Sequence, residues 1–344
     1  MDALIYEYDG NYTYEEGIMP HEESVFQHKS NCTRDAFCVS LLAITTAIFV
    51  LGFCGNALVI WISGFKMKKT VNTTWYLSLA ISDFVFCVFL PFIITNMAME
   101  KWLFGLFLCK FTSAVLFLNM FSSIFLLVII SVDRCVSVVF PVWAQNHRTV
   151  RKASVIVILA WVLAIGLSLP SVVFRDVQHH LGRSICYNNY TSHQHSHEII
   201  AISRFVAGFA VPFIIISICY SVIILKLRSN RMTKSSKPFK VMTALIATFF
   251  ICWLPYHVFI LLELNHQNYN HYLLTVGQQI GTCLAAANSF LNPVLYVFMG
   301  NDFQQRFKSS LLSKMENAMG DDGRTTSRYF SRSSSVDGKV STHI

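Results

Sequence analysis

Seven stretches of the chain, at residues 39–64, 74–98, 107–132, 153–174, 200–225, 241–264 and 272–299, are apolar over about the length that crosses a bilayer. A hydrocarbon core of ~30 Å takes ~20 helical residues to span, and in lipid a backbone must satisfy its own hydrogen bonds, so each stretch is expected to be a helix. The composition agrees. Of 344 residues, 54% are hydrophobic and 13% charged, too few charges to solvate the surface of a soluble protein of this length. The expected fold is an all-α membrane protein, a seven-transmembrane bundle over 39–300. It is flanked by an acidic arm at 1–38, an amphipathic interfacial helix at 301–314 and a Ser/Thr-rich cytosolic tail at 315–344.

Seven is odd, so the termini face opposite sides. One set of connections carries Lys66, Lys68, Lys69, Arg148, Arg151, Lys152, Lys226, Arg228, Arg231, Lys234, Lys237, Lys240, Arg306, Lys308 and Lys314. The bias of Lys and Arg toward cytosolic loops assigns that set to the inside. The other set holds Lys29, Arg34, Lys101, Arg175 and Arg183, and the first 28 residues contain seven acids with no Lys or Arg. That end is expected outside, at the plasma membrane. No apolar run precedes Val39, so the first span is expected to serve as the anchor in place of a cleaved leader. The net charge of +8 is then a topology signal. Split among membrane-flanking loops, it does not describe a nucleic-acid surface.

Of ten cysteines, Cys32, Cys38, Cys109 and Cys186 fall on the oxidising side. A bridge from Cys109, at the start of the third span, to Cys186 would tie the loop after the fourth span over the bundle mouth. Cys32 and Cys38 either pair or stay free. The sequons at Asn11, Asn31 and Asn189 lie outside and are candidate glycosylation sites, whereas Asn72-Thr73-Thr74 lies at the cytosolic edge and is expected to be silent.

An ionisable residue inside a membrane costs ~2.5 kcal/mol or more, so each one needs a partner and a purpose. Asp83 lies mid-span with no Lys or Arg at its depth, and Asn56, Asn119, Ser123, Asn288, Ser289 and Asn292 are the polar groups that other helices can bring to it. Two readings stand. Asp83, Asn119, Ser123 and Asn288 form an oxygen site for sodium, or the polar groups bond one another across helices. Asp133-Arg134-Cys135 ends the third span; Arg134 either folds back on its neighbouring acid until helices move, or snorkels to phosphate. Pro255 in Cys252-Trp253-Leu254-Pro255 and Pro293 in Asn292-Pro293-Val294-Leu295-Tyr296 would kink the sixth and seventh spans and supply hinges, as Pro91 and Pro212 would in the second and fifth.

Gly55-Asn56, Leu79-Ala80-Ile81-Ser82-Asp83, Asp133-Arg134-Cys135, Trp161, Cys252-Trp253-Leu254-Pro255 and Asn292-Pro293-Val294-Leu295-Tyr296 occur in this order, and the set resembles the rhodopsin-like (class A) G-protein-coupled receptors over about residues 39–313. Phe65-Lys66-Met67-Lys68-Lys69-Thr70-Val71-Asn72, Pro141-Val142-Trp143, Gln145-Asn146-His147-Arg148, Val173-Phe174-Arg175-Asp176, Leu261-Leu262-Glu263-Leu264 and Val297-Phe298-Met299-Gly300 narrow the likeness to the chemoattractant branch and its chemerin-receptor (chemokine-like receptor) group. Cys135, where the wider family has Tyr, also resembles that group. The arm and residues 176–199 match it poorly. The resemblance implies a receptor rather than an enzyme, the sodium reading of the Asp83 set, and a switch built from Trp253, Pro255, Asp133, Arg134, Asn292, Pro293 and Tyr296. It further implies an inhibitory-class G protein, for which the short third cytosolic loop also speaks, and phosphorylation of the tail by receptor kinases with arrestin recruitment.

Two ligand classes drop out. Residues 272–299 hold no Lys for a retinal Schiff base, and Leu116 stands where amine receptors resemble one another in carrying a carboxylate. The outer half offers cations instead: Lys110, Arg175 and Arg204. The planar fork of an arginine binds a carboxylate bidentately, so Arg204 is expected to receive the terminal carboxylate of an extracellular peptide or protein ligand, with Phe117, Phe205, Trp253, Tyr256 and Phe259 as walls. The competing reading pairs Arg204 with Glu198 or Glu263, the latter also a candidate ligand contact. A formyl peptide or a carboxylate-bearing lipid would suit the same arginine. A transporter is the rival of a different class, but neither inverted repeats nor paired intramembrane ionisables are visible. His193, His195 and His197 read either as a zinc cluster or as a solvated loop, and Thr342-His343-Ile344 fits a PDZ ligand.

Overall fold

The computed structural model describes residues 35–180, 183–190, 195–229 and 237–299. The acidic arm with Asn11 and Asn31, most of the loop between the fifth and sixth spans, the segment expected to form an interfacial helix and the tail lie outside them.

Helix α1 (Ala36–Trp61) starts where the Asp35 carboxylate accepts the Phe37 N–H at 3.1 Å, and it runs on through a π-helical turn at Ile62–Lys66. Helix α2 (Val71–Met99) opens on a reciprocal cap between Thr70 and Thr73. Such caps satisfy N–H groups that the first helical turn leaves unpaired. Helix α3 (Gly105–Val139) is the longest element at 35 residues and packs against α2, against the fourth, fifth and sixth spans, and against the loop helix α4 (Pro141–His147). Its inner face is filled by Phe117, Met120, Phe121, Ile124 and Leu127. Helix α5 (Val150–Phe174) is the fourth span. It gives way to an antiparallel hairpin, β1 (Arg175–His180) with β2 (Arg183–Asn188), in the register Arg175 opposite Asn188 and Val177 opposite Cys186. The fifth span is compound: α6 (Ser196–Phe205), a π-helical turn at Val206–Ala210, then α7 (Val211–Ser229). The expected Pro212 break is therefore realised as a π turn just ahead of the proline, a known way to relieve the missing hydrogen bond. Helices α8 (Lys237–Glu263) and α9 (His271–Met299) are the sixth and seventh spans.

All seven expected spans are helices. Six are long and apolar enough to cross a membrane on those criteria alone. The seventh matches α2 in length at 29 residues, but it carries Gln278, Thr282, Asn288, Ser289 and Asn292, all buried. Its polar residues turn into the bundle, which lowers its hydropathy without exposing them to lipid. Helices α8 and α9 pack tightly at Gly281, where a Cβ would stand 2.8 Å from the Tyr256 backbone, next to Pro255 inside α8. Any side chain at Gly281 would push the two helices apart beside Pro255.

The expected bridge from Cys109 to Cys186 is present and joins α3 to β2 with a Cα separation of 5.7 Å. The Trp102 N–H donates to the Ser184 carbonyl at 2.7 Å, a second tie from the α2–α3 loop to the hairpin. Cys38 is disulfide-bonded rather than free.

Candidate functional site, from hairpin end to clasp

Three polar levels lie along the bundle. At the hairpin end, α6 ends its last turn on Arg204, which is half-buried and points across to α5 and α3. Its Nη2 donates to Ser171 Oγ at 2.8 Å, and the guanidinium carbon lies 3.5 Å over the Phe117 ring. Stacking on a ring face holds the guanidinium plane while leaving its edge to donate. Phe117, Tyr256 and Trp253 are buried, and Phe205 and Phe259 are half-buried. The Phe117 and Tyr256 rings lie 6.3 Å apart, and Tyr256 meets Trp253 edge-on at 5.7 Å. The Phe259 ring packs on Gly277, where a Cβ would come within 2.1 Å of it; the ring position depends on that glycine.

The other expected ligand residues are spread around this cluster. Arg175 is only 5% exposed, at the junction of α5 and β1, and borders a small cleft with Asn96, Trp102, Thr112, Ser113 and Leu116. Lys110, beside Cys109 on α3, is half-buried. Glu263 is buried and accepts from Gln278 Nε2 at 2.6 Å, across the α8–α9 seam, and Glu198 is exposed. Of the expected histidine trio, His195 and His197 are described; no group of three metal-ligating residues occurs among the described residues. His197 stacks on Tyr190 at 5.0 Å.

At mid-depth, Asp83 is fully buried. Asn119 Nδ2 donates to one carboxylate oxygen at 2.9 Å and Asn292 Nδ2 to the other at 2.8 Å. Ser82 accepts from the same Asn119 amide at 3.2 Å and bonds Ser122 at 2.5 Å, while Ser289 Oγ donates to Asn119 Oδ1 at 3.4 Å. Asn56 ties α1 to α9 through the Ser289 carbonyl at 2.8 Å. Ser123 Oγ and Asn288 Oδ1 are enclosed and have no hydrogen-bond partner. Each stands one turn from an asparagine already bonded to Asp83, on the same helix face. Hydroxyl and amide oxygens around a carboxylate suit a hard cation such as sodium, so the expected set fits one.

At the far end, Arg134 does lie against its own neighbour Asp133, as expected, but as the looser of two ion pairs to that carboxylate. Asp133 is gripped by Arg148, Nε to Oδ1 at 2.7 Å and Nη2 to Oδ2 at 2.9 Å, whereas Arg134 Nη2 stands 3.7 Å from Asp133 Oδ2. Both guanidiniums also donate to Asn72 Oδ1. The bidentate fork takes the carboxylate because both donors align at once. Nearby, Tyr296 is buried with its ring 5.0 Å from Tyr76, and Pro293 lies inside α9.

Nothing in the sequence signals that Arg148 and Asn72 meet Asp133 and Arg134, that Ser82 bonds Asn119, or that Ser171, Ser122 and Gln278 take part. Short polar residues on apolar helices give no periodic signal until the helix rotation is known. His257 was also missed: one imidazole in an aromatic stretch looks like packing.

The model of the 7 transmembrane receptor (rhodopsin family) matches residues 55–296. The chain belongs to the rhodopsin family of seven-transmembrane receptors. It is accordingly a multi-pass receptor of the plasma membrane, not an enzyme, in a family that couples extracellular ligands to G proteins. The transporter alternative is overturned by the same match. Relatives are chemerin-like receptor 1 of Sus scrofa, 43% identical over 95% of this chain and 97% of that one, and chemerin-like receptor 1 of Homo sapiens, 46% identical over 83% of this chain and 81% of that one. Formyl peptide receptor 2 of Mus musculus is 40% identical over 88% of this chain and 91% of that one. The three polar levels of this rhodopsin-family receptor thus lie in a bundle shared nearly end to end with these relatives.

Proposed function

We propose that this receptor answers an extracellular chemoattractant peptide or protein, chemerin-like in its C-terminal tail, and that the terminal carboxylate of that tail reaches Arg204. The observation that carries the reading is the Arg204 guanidinium laid on Phe117 and hydrogen-bonded to Ser171. A planar donor held by a ring face and a hydroxyl is preorganised for a planar acceptor, which lessens the ordering cost of binding. Lys110 and Arg175 add positive potential around the same mouth and favour an anionic tail. The N-terminus is outside, with the sugar of Asn189 and those of Asn11 and Asn31 on the same side.

Binding shifts the bundle by whatever affinity difference the ligand has between its two states. Arg204 sits on α6 and Phe117 on α3, while Tyr256, Trp253 and Pro255 continue the contact down α8. A ligand that draws these helices together moves α8 about its kink. At the cytosolic end that movement exposes Arg134 and Tyr296 to an inhibitory-class G protein, and arrestin follows receptor-kinase action on the tail. Asp83, Asn119, Ser123 and Asn288 hold a sodium ion that favours the inactive packing.

The test is inhibition of cyclic AMP in cells expressing the full chain, with C-terminal chemerin peptides supplied as free acid and as carboxamide. The free acid is expected to signal and the carboxamide to lose about 30-fold in potency, as a charge-assisted bond of ~2 kcal/mol would dictate. Equal potency would sink the carboxylate assignment. A formyl-peptide or lipid-acid ligand is the second reading, favoured by the formyl peptide receptor 2 relative. Silence of the whole chemerin panel with response to formyl peptides would establish it instead.

A further inference from the structure

His257 is a buried polar group that neither the switch nor the carboxylate contact uses. It follows Tyr256 on α8, is 2% exposed, and its Nε2 is enclosed without a hydrogen-bond partner. Its ring packs against Phe205 at 5.7 Å, Phe209 at 5.3 Å and Tyr256 at 5.5 Å. These contacts place it in the same aromatic cluster that borders Arg204. Phe205 is the next residue after Arg204, and Tyr256 packs on Phe117, the ring that carries the Arg204 guanidinium at 3.5 Å. A buried polar atom left unpaired destabilises a protein, and such atoms in native folds call for a reason.

The two groups have complementary chemistry. A guanidinium has donors and no acceptor, whereas a neutral imidazole offers one acceptor nitrogen. The C-terminal residue of a peptide carries both counterparts on one carbon, a carboxylate and an amide N–H. A fatty acid carries the carboxylate alone.

We infer that His257 Nε2 accepts the last amide N–H of a peptide ligand while Arg204 takes its carboxylate, so that the site selects a C-terminal amino-acid residue over a simple carboxylic acid. This rests on the Arg204 reading proposed above. The specificity arises because a carboxylic acid without the N–H leaves the nitrogen unpaired in the complex as well, and a site built around a hydrogen bond rejects the analogue that lacks it. His257 is then a specificity-determining residue whose loss is felt only by ligands that have the donor.

The test is competition binding to the full-length receptor with three forms of one C-terminal chemerin peptide. These are the parent acid, the depsipeptide in which an ester oxygen replaces the last N–H, and the C-terminal carboxamide. Wild type is expected to bind the depsipeptide about tenfold more weakly than the parent. His257→Phe is expected to bind the parent about tenfold more weakly than wild type does and the depsipeptide no more weakly, with His257→Gln, which keeps an acceptor, restoring part of the preference. Surface expression of both variants controls for folding. Equal binding of parent and depsipeptide by wild type overturns the inference. So does a His257→Phe variant that still prefers the parent tenfold, or that weakens both forms alike as a donor to the carboxylate would. A carboxamide that binds wild type as well as the parent acid, with the ester penalty intact, overturns the carboxylate half and points back to Arg204 as the error.

Discussion

Asp83 and Asp133 are both carboxylates held by other helices or loops, yet they are neutralised in opposite ways. Asp83 is fully buried between the neutral amides of Asn119 and Asn292. Asp133, with a side chain 14% exposed, lies between two guanidiniums, one bidentate at 2.7 and 2.9 Å and one at 3.7 Å. The centre supplies hydrogen bonds and no positive charge; the end that carries Arg134 supplies more positive charge than one carboxylate can take. A carboxylate in the first situation is completed by an added cation or proton. In the second, two cations compete, and the loser is available to another partner. That loser is Arg134, the residue expected to meet the G protein.

The comparison breaks most visibly at the centre. Asp83→Asn places a new amide N–H group against the amides of Asn119 or Asn292, and it should cost about 2 kcal/mol of bundle stability. The thermal melt of the purified variant should also lose its response to replacing sodium with a bulky organic cation. A variant that still melts higher in sodium would show that the ion is held elsewhere. Asn292→Ala leaves one Asp83 oxygen bare and should cost about 1 kcal/mol in the same melt while keeping the sodium response. Loss of that response would make Asn292 itself part of the ion site.

At the other end the effects are smaller and appear in signalling. Arg148→Ala gives up a partly exposed pair worth roughly 0.5 kcal/mol, so the melt should barely move. Basal G-protein activation should fall by about twofold as the freed Asp133 turns to Arg134, since each ~0.4 kcal/mol of bias is about a factor of two. A rise in basal activation would mean that Arg148 and Arg134 are held together through Asn72 rather than in competition.

Much of this bundle could be read in advance, because length and hydropathy alone demand helices in lipid. The Cys109–Cys186 tie was legible from where those two cysteines fall along the spans. What stayed hidden depends on rotation and rise. The choice of Arg148 over Arg134 at Asp133 is made by α4, which carries the chain back so that a residue 15 positions on arrives with its fork aligned. Ser171 is one of many small residues on the fourth span, and only the crossing of α5 with α6 selects it as the Arg204 partner. His257 could not be separated from its aromatic neighbours until its Nε2 was found enclosed without a hydrogen-bond partner. The π turn at Val206–Ala210, just ahead of Pro212, also has no signature in the sequence beyond the proline itself, and it directly follows the helix that ends on Arg204 and Phe205.

The most direct measurement is a double-mutant cycle between the ligand and Arg204, with one C-terminal chemerin peptide as acid and as carboxamide binding to wild type and to Arg204→Ala. The account predicts that the acid outbinds the carboxamide by about 30-fold on wild type and by no more than about twofold on the variant, a coupling on the order of 1.5–2 kcal/mol. An acid preference that survives intact in Arg204→Ala would contradict it, because the carboxylate would then be meeting some other cation.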